Sequence, residues 1–450
     1  MEAAEAVLRA NDKGCYTVPS PITYPHQWNW DSALCALGWA RVAPHRAWEE
    51  LETLARARDA GGMIPHVAYT PLLSSRRGGR AALALARIPA PHSRYMPGPR
   101  WWGRRHGRDG RRISAITQPP FAATCLRLLY EEHPDEARAR ALLRPLHGWH
   151  RFLLTARDPE GLGEPVLIHP WESGRDNALE WDEPLARVTP AVELPERPDT
   201  NSVDPAERPS DEQYRRFLTL VREGVAADWS QERLARRGTF RVLDPGFSAI
   251  LSRACLDLAW LADELGERRI AEESAAAAAR VAWALIARAD ADGLVRPVDL
   301  ARGLPIGVTG AGSALALLAP SLPVSRLQAA RELVLAGPLA SPFGIRSLAA
   351  RHPESSRRNY WRGPVWANTT WLCAHALDLH GDDRAAAMLR LRLLRVVGAG
   401  GMREYFEPEG GSGLGARAFA WTAALTLRVA DNTVGSARPG EATPRGLGGS

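Results

Sequence analysis

The chain has 450 residues, 45% of them hydrophobic, and a formal charge of +6. That length admits two ordinary domains or one large one, with apolar residues enough for a sizeable core. Lys13 is the only lysine, and the arginines are scattered apart from two patches among glycines at 76–80 and 100–112, a distribution that argues against a nucleic-acid face.

Taken in chain order, apolar residues at three- and four-residue spacing predict helices over 28–42, 45–58, 119–132, 134–155 and 211–225. The same pattern predicts helices over 247–265, 270–289, 308–318, 325–335, 365–379, 382–397 and 419–429. Asp382 reads as the residue that opens one of these helices and Gly398 as the one that closes it. Alternating strand patterns are confined to 164–169 and 239–243. Proline and glycine clusters at 71–110 and 190–209 read as long loops within one domain, of the kind that form lids. Residues 1–431 therefore read as a single domain, and 432–450, rich in Gly, Ser, Pro and Thr, as a disordered tail. A series of helices with aromatic loops between them suits a barrel of paired helices with a funnel at one end.

No run of 18 apolar residues and no basic-then-apolar leader is present, so a soluble cytoplasmic protein is expected, away from membranes. Cys15, Cys35, Cys125, Cys255 and Cys373 stand singly, and four of them lie in apolar helical patterns as reduced thiols. His26, His66, His92, His106 and His169 lack metal-type spacing, so no metal and no cofactor are expected.

Tryptophan, with 16 copies against 8 Tyr and 8 Phe, is the aromatic this chain favours. It is also the preferred platform for the C–H face of a sugar. Two acidic segments sit in aromatic, glycine-rich frames. The first reads Trp171-Glu172-Ser173-Gly174-Arg175-Asp176-Asn177. Burial against indole raises a carboxylic acid's pKa, as a general acid near neutral pH requires, and Asp176 is the candidate, with Glu172 and Asp182 as rivals. The second reads Arg403-Glu404-Tyr405-Phe406-Glu407-Pro408. Here Glu404 is the candidate base, with Tyr405 placed to donate to it, and Glu407 and Glu409 are rivals. Tyr24, Trp28, Trp30 and Asp31 cluster before one helix, and Tyr360, Trp361 and Trp366 before another. Two such entrances imply one ring of loops around a pocket, where Asp31 and Gln118 could bond sugar hydroxyls. Paired carboxylates in such a setting point to glycoside hydrolysis.

Six motifs in order, from Tyr24-Pro25-His26-Gln27-Trp28-Asn29-Trp30-Asp31 to Glu404-Tyr405-Phe406, resemble glycoside hydrolase family 63 over roughly residues 5–430. The others are Gly62-Met63-Ile64-Pro65-His66, Gln118-Pro119-Pro120, the segment from Trp171 to Asn177, and Tyr360-Trp361-Arg362-Gly363-Pro364-Val365-Trp366. The chain looks most like the small bacterial members that act on mannosylglycerate and glucosylglycerate. The resemblance implies an all-α (α/α)6 barrel, with long loops forming a lid over the active-site funnel, and cleavage with inversion. It implies Asp176 as acid and Glu404 as base, about 6.5–9.5 Å apart to admit a water. By the same resemblance Trp171, Gly174 and Trp421 belong to the site, and Arg208, Tyr214 and Tyr95 reach a small-molecule glycosylglycerate from the long loops. An arginine fork suits the glycerate carboxylate. The chain departs from that pattern at Ala178-Leu179 and at Phe419, which puts a sugar contact from position 419 in doubt. A homo-oligomer is left open. The alternatives are an α-glucosidase of the same barrel acting on a neutral oligosaccharide, a sugar epimerase relying on paired histidines, and a non-catalytic carbohydrate-binding protein.

Overall fold

The computed structural model describes residues 1–70 and 95–434. The basic patch at 76–80, His92, most of the expected loop at 71–110 and the tail from 435 lie outside the described residues.

The molecule is mostly helical, and its helices fall into two kinds. Asn29–Val42 is buried on every side from Asn29 to Ala40, and Pro245–Glu264 and Ala367–Leu379 are buried nearly all round. A helix apolar around its whole circumference must sit inside. The helices that follow them, Pro44–Arg56, Arg268–Ala287 and Asp383–Gly400, bury only a stripe and pack back on their predecessors. Turns are tight where the sequence demands it: only Ala43 separates Val42 from Pro44, whose fixed φ starts the next helix. Inner helices touch in succession, from Asn29–Val42 through Ala122–Glu132, Pro245–Glu264, Ala311–Leu315 and Ala367–Leu379 to Ala420–Val434, which packs on Asn29–Val42 again. The helix Glu2–Ala10, absent from the expected set, lies against Ala420–Val434, so the first element completes the last pair.

Capping chemistry fixes several boundaries. Asp244 accepts from the amides of Gly246 and Phe247, and Ser210 with Gln213 forms a capping box. Asp382 caps its helix as expected, but Gly398 does not end it. The helix continues to Gly400, and Gly401, at φ +76°, makes the turn. The final helix likewise runs past 431 to Val434.

Short strands gather next to the entrances of the inner helices. Gln27–Trp28 leads into Asn29–Val42 and Val242–Leu243 into Pro245–Glu264. Val166–Leu167, Val242–Leu243, Val298–Asp299 and Leu304–Pro305 form one antiparallel sheet in that order. An unexpected hairpin pairs Arg403–Phe406 with Gly413–Arg417, setting Tyr405 opposite Leu414. Among the described residues no helix is long and apolar enough to cross a membrane.

Candidate active site

Glu404 lies on the first strand of that hairpin and is buried. The side-chain alternation of a strand sends Tyr405 to the other side, where its hydroxyl donates to the Glu207 carbonyl at 2.6 Å. Tyr405 therefore does not donate to Glu404, contrary to the reading from adjacency. Two tyrosines from distant segments do: Tyr24 at 2.7 Å and Tyr360 at 3.2 Å, both to Oε1. Oε2 accepts from the Ala416 amide at 2.8 Å, across the hairpin. Gly415, at φ +66°, permits this approach, since a Cβ there would come within 2.5 Å of Oε2. Tyr360 itself adopts φ +38°, a strained conformation for a bulky side chain.

Arg208 completes the shell. Its Nη1 donates to both Glu404 oxygens at 3.3 and 3.2 Å, Nη2 donates to the Tyr24 hydroxyl, and Nε donates to Asp199 at 3.3 Å. The guanidinium also lies over the rings of Tyr360 and Tyr24, at 4.7 and 5.5 Å. Burial works against its charge, but Tyr24, Glu404, Tyr360 and Asp199 more than offset this and keep it protonated. Asp199 stays below the usual carboxylate range despite burial, because Arg208 and Arg197 flank it.

Asp176 sits at the cavity wall beyond a turn that only glycine can make. Gly174 has φ +68°, and a Cβ there would stand 2.5 Å from the Trp30 ring. The neighbouring Asn177 fastens this turn to the segment 359–361. Its Oδ1 accepts from the Trp361 amide at 3.0 Å, and its Nδ2 donates to Asn359 at 2.7 Å. Loss of solvent raises the Asp176 carboxyl from 3.8 to about 7; Arg208 opposes the shift and Glu404 adds to it. The Asp31 carboxyl is also pushed well above the usual range, by burial first and then by Glu404 and Asp176.

A cavity of about 300 Å3 brings these groups together. Every residue expected at the site lines it: Asp176 and Glu404, Tyr24, Trp28, Trp30, Asp31, Tyr95, Gln118, Trp171, Gly174, Arg208, Tyr214, Tyr360, Trp361, Trp366 and Trp421. Trp361 and Trp366 stack at 3.8 Å, Trp30 and Trp421 meet edge to face at 5.5 Å, and Tyr95 meets Trp28 the same way at 5.0 Å. The Gln118 carbonyl oxygen accepts from the Trp30 amide at 3.4 Å. Tyr214 donates its hydroxyl to the Met96 carbonyl at 2.7 Å, with Trp171 beside its ring.

The rival carboxylates are engaged elsewhere. Glu172 is wholly buried, paired with Arg157 and accepting from the amides of Ile168 and Thr117. Glu407 and Glu409 pair with Arg357 and Arg346, and Asp182 with Arg362. Glu172→Ala should cost about 3–5 kcal/mol in denaturant unfolding, because it strands the buried Arg157. A loss of rate with unchanged stability would return Glu172 to the list of acids.

Sequence reasoning missed His66, Asp199 and Phe419 as cavity residues. His66 stacks on Trp171 at 6.0 Å, and burial lowers its imidazole to about 3, so it is neutral. Phe419 lies edge to face against Tyr24 at 5.9 Å. The motif from Gly62 to His66 was the available signal for His66; nothing marked Asp199 in a polar loop. Among the described residues no group of three or more His, Cys, Asp or Glu side chains could hold a metal.

An aromatic cavity lined by carboxyl groups from distant segments is the constellation of a glycoside hydrolase. Residues 24–422 match the family model described as the mannosylglycerate hydrolase MGH1-like glycoside hydrolase domain, and the chain belongs to that family. It is 38% identical over 435 residues to the mannosylglycerate hydrolase of Thermus thermophilus, covering 95% of this chain and 99% of that one. It is 34% identical over 448 residues to the glucosylglycerate hydrolase of Mycolicibacterium hassiacum, covering 94% and 96%. The crystal structure of a family 63 mannosylglycerate hydrolase from Thermus thermophilus with Tris and D-glycerate superimposes with a TM-score of 0.84 at 37% identity, covering 95% of this chain and 98% of that one.

Proposed function

We propose that the protein is an inverting α-glycosidase that hydrolyses 2-O-α-mannosyl-glycerate, glucosylglycerate or both to the hexose and glycerate. The ring of inner helices with its outer partners is read as an (α/α)6 barrel, with 95–110 and 190–209 forming the lid. Asp176 protonates the glycosidic oxygen as the bond from C1 breaks. Glu404 takes a proton from water as its oxygen bonds to C1 from the opposite face, giving the inverted hexose. Asp31, whose carboxyl burial pushes well above the usual range, lines the cavity where it can bond sugar hydroxyls. Trp30, Trp361 and Trp421 supply apolar walls, and Arg208 and Tyr214 serve the glycerate end.

The observation that carries this reading is one cavity holding a carboxyl raised to about 7 and a second carboxylate brought in by a distant strand. Arg208 is the sole arginine or lysine among the described residues lining it, which favours an acidic aglycone over a neutral oligosaccharide. The four buried free cysteines fit a reducing, cytoplasmic setting. The test is incubation with each glycosylglycerate while NMR follows the anomers. Release of glycerate with initial formation of the β-hexose is expected; retention would overturn the mechanism, and no release would overturn the substrate.

A further inference from the structure

Resting on that reading, we infer that Arg208 is a switch on the base: an anionic aglycone draws its guanidinium away from Glu404 and so opens the place of the attacking water. A carboxylate has about four lone-pair positions. Glu404 already accepts five contacts, from Tyr24, Tyr360, Ala416 and twice from Arg208. A base that must take a hydrogen from water has no room for it in this arrangement.

The five contacts differ in how readily they can be released. The Ala416 amide belongs to the hairpin that carries Glu404, and Tyr24 and Tyr360 are packed among the aromatics of the wall. Arg208 instead stands in extended backbone between the short turn Pro205–Glu207 and the helix Asp211–Ala226. It is held there through its Nε by Asp199. Asp199 is in turn fixed by Arg197 at 2.8 Å, and Arg197 also binds Asp211 at 2.9 Å and the Pro209 carbonyl at 2.7 Å. The Nε contact is thus a firm pivot about which the Nη1 and Nη2 groups can turn.

The charge inventory makes this exchange necessary. Asp199 and Glu404 already share the one guanidinium among the described lining residues. An entering carboxylate finds no other cation among the described lining residues, so it must compete with Glu404 for Arg208. A neutral glycoside cannot compete and leaves the base capped. Discrimination then appears in kcat through a group that neutral substrates never touch.

α-Mannosyl fluoride separates the two halves of the substrate, because its leaving group leaves the aglycone position open. Fluoride release by the wild-type protein should be slow alone and rise on adding D-glycerate, by a coupling of about 5–150-fold. Arg208→Ala should release fluoride at a rate that glycerate no longer changes, while its KM for mannosylglycerate rises. The switch is overturned if glycerate only inhibits the wild-type protein or leaves its rate unchanged. It is also overturned if Arg208→Ala loses both activities in parallel. The wild-type arm needs no variant to fold. Absence of glycerate release from either glycosylglycerate, with glycerate still activating fluoride release, would remove the proposed substrate and leave the switch standing.

Discussion

Replacing Asp176 with asparagine is expected to lower kcat by about 10²–10⁴-fold, because the amide keeps the shape of the carboxyl but cannot give a proton to the leaving oxygen. In the wild-type protein the proposed acid must be protonated, and its pKa is raised to about 7, so kcat/KM should fall as pH rises past that point. The variant should lose this alkaline limb. Stability falls over the same rise in pH. The folded-state pKa lies above the ordinary value of 3.8, so the stability this group contributes is fully present below that value and is lost as pH rises through about 7. Asp176→Asn carries no such loss and should unfold at a higher temperature than wild type at pH 8, with the gap closing toward pH 4. Turnover like that of wild type would assign the acid role to a different carboxyl.

Glu404→Gln is expected to cost a rate loss of the same order, about 10²–10⁴-fold, for a different reason. Tyr24 and Tyr360 can still donate to an amide oxygen there, so the cavity keeps its shape. The charge that pairs with Arg208, and that is proposed to deprotonate water, is gone. Since Arg208 is then unopposed on that side, D-glycerate should bind at least as tightly as to wild type by calorimetry, while hydrolysis of the glycosylglycerate disappears. Loss of glycerate binding together with rate would indicate a collapsed site in place of a missing base.

Much of this site was legible because aromatic and acidic residues cluster in short motifs at helix entrances, and these motifs line one cavity. Asp176 could be picked out from Glu172 by its setting, and the Arg157 pair that occupies Glu172 gives the reason. What could not be read was direction. Tyr405 adjoins Glu404 in sequence, yet a strand turns neighbours apart, while Tyr24 and Tyr360 arrive from remote segments. Nor did any local pattern announce the hairpin, since a four-residue strand is too short to show alternation against its glycine-rich partner. Gly398 resembles a stop signal, but packing carries the helix two residues beyond it to Gly400. Asp199 gains its importance only from Arg197 and Arg208 folding around it.

The helix Ala420–Val434 touches Asn29–Val42 on one flank and Ala367–Leu379 on the other, with Glu2–Ala10 on its back. It acts as the keystone of the ring and follows every other inner helix in chain order. Until it arrives, Trp421 is absent from the cavity and the earliest inner helix has an apolar flank without a neighbour. The ring therefore stays an unfinished arch while every earlier inner helix is made, a period in which exposed apolar surface calls for chaperones.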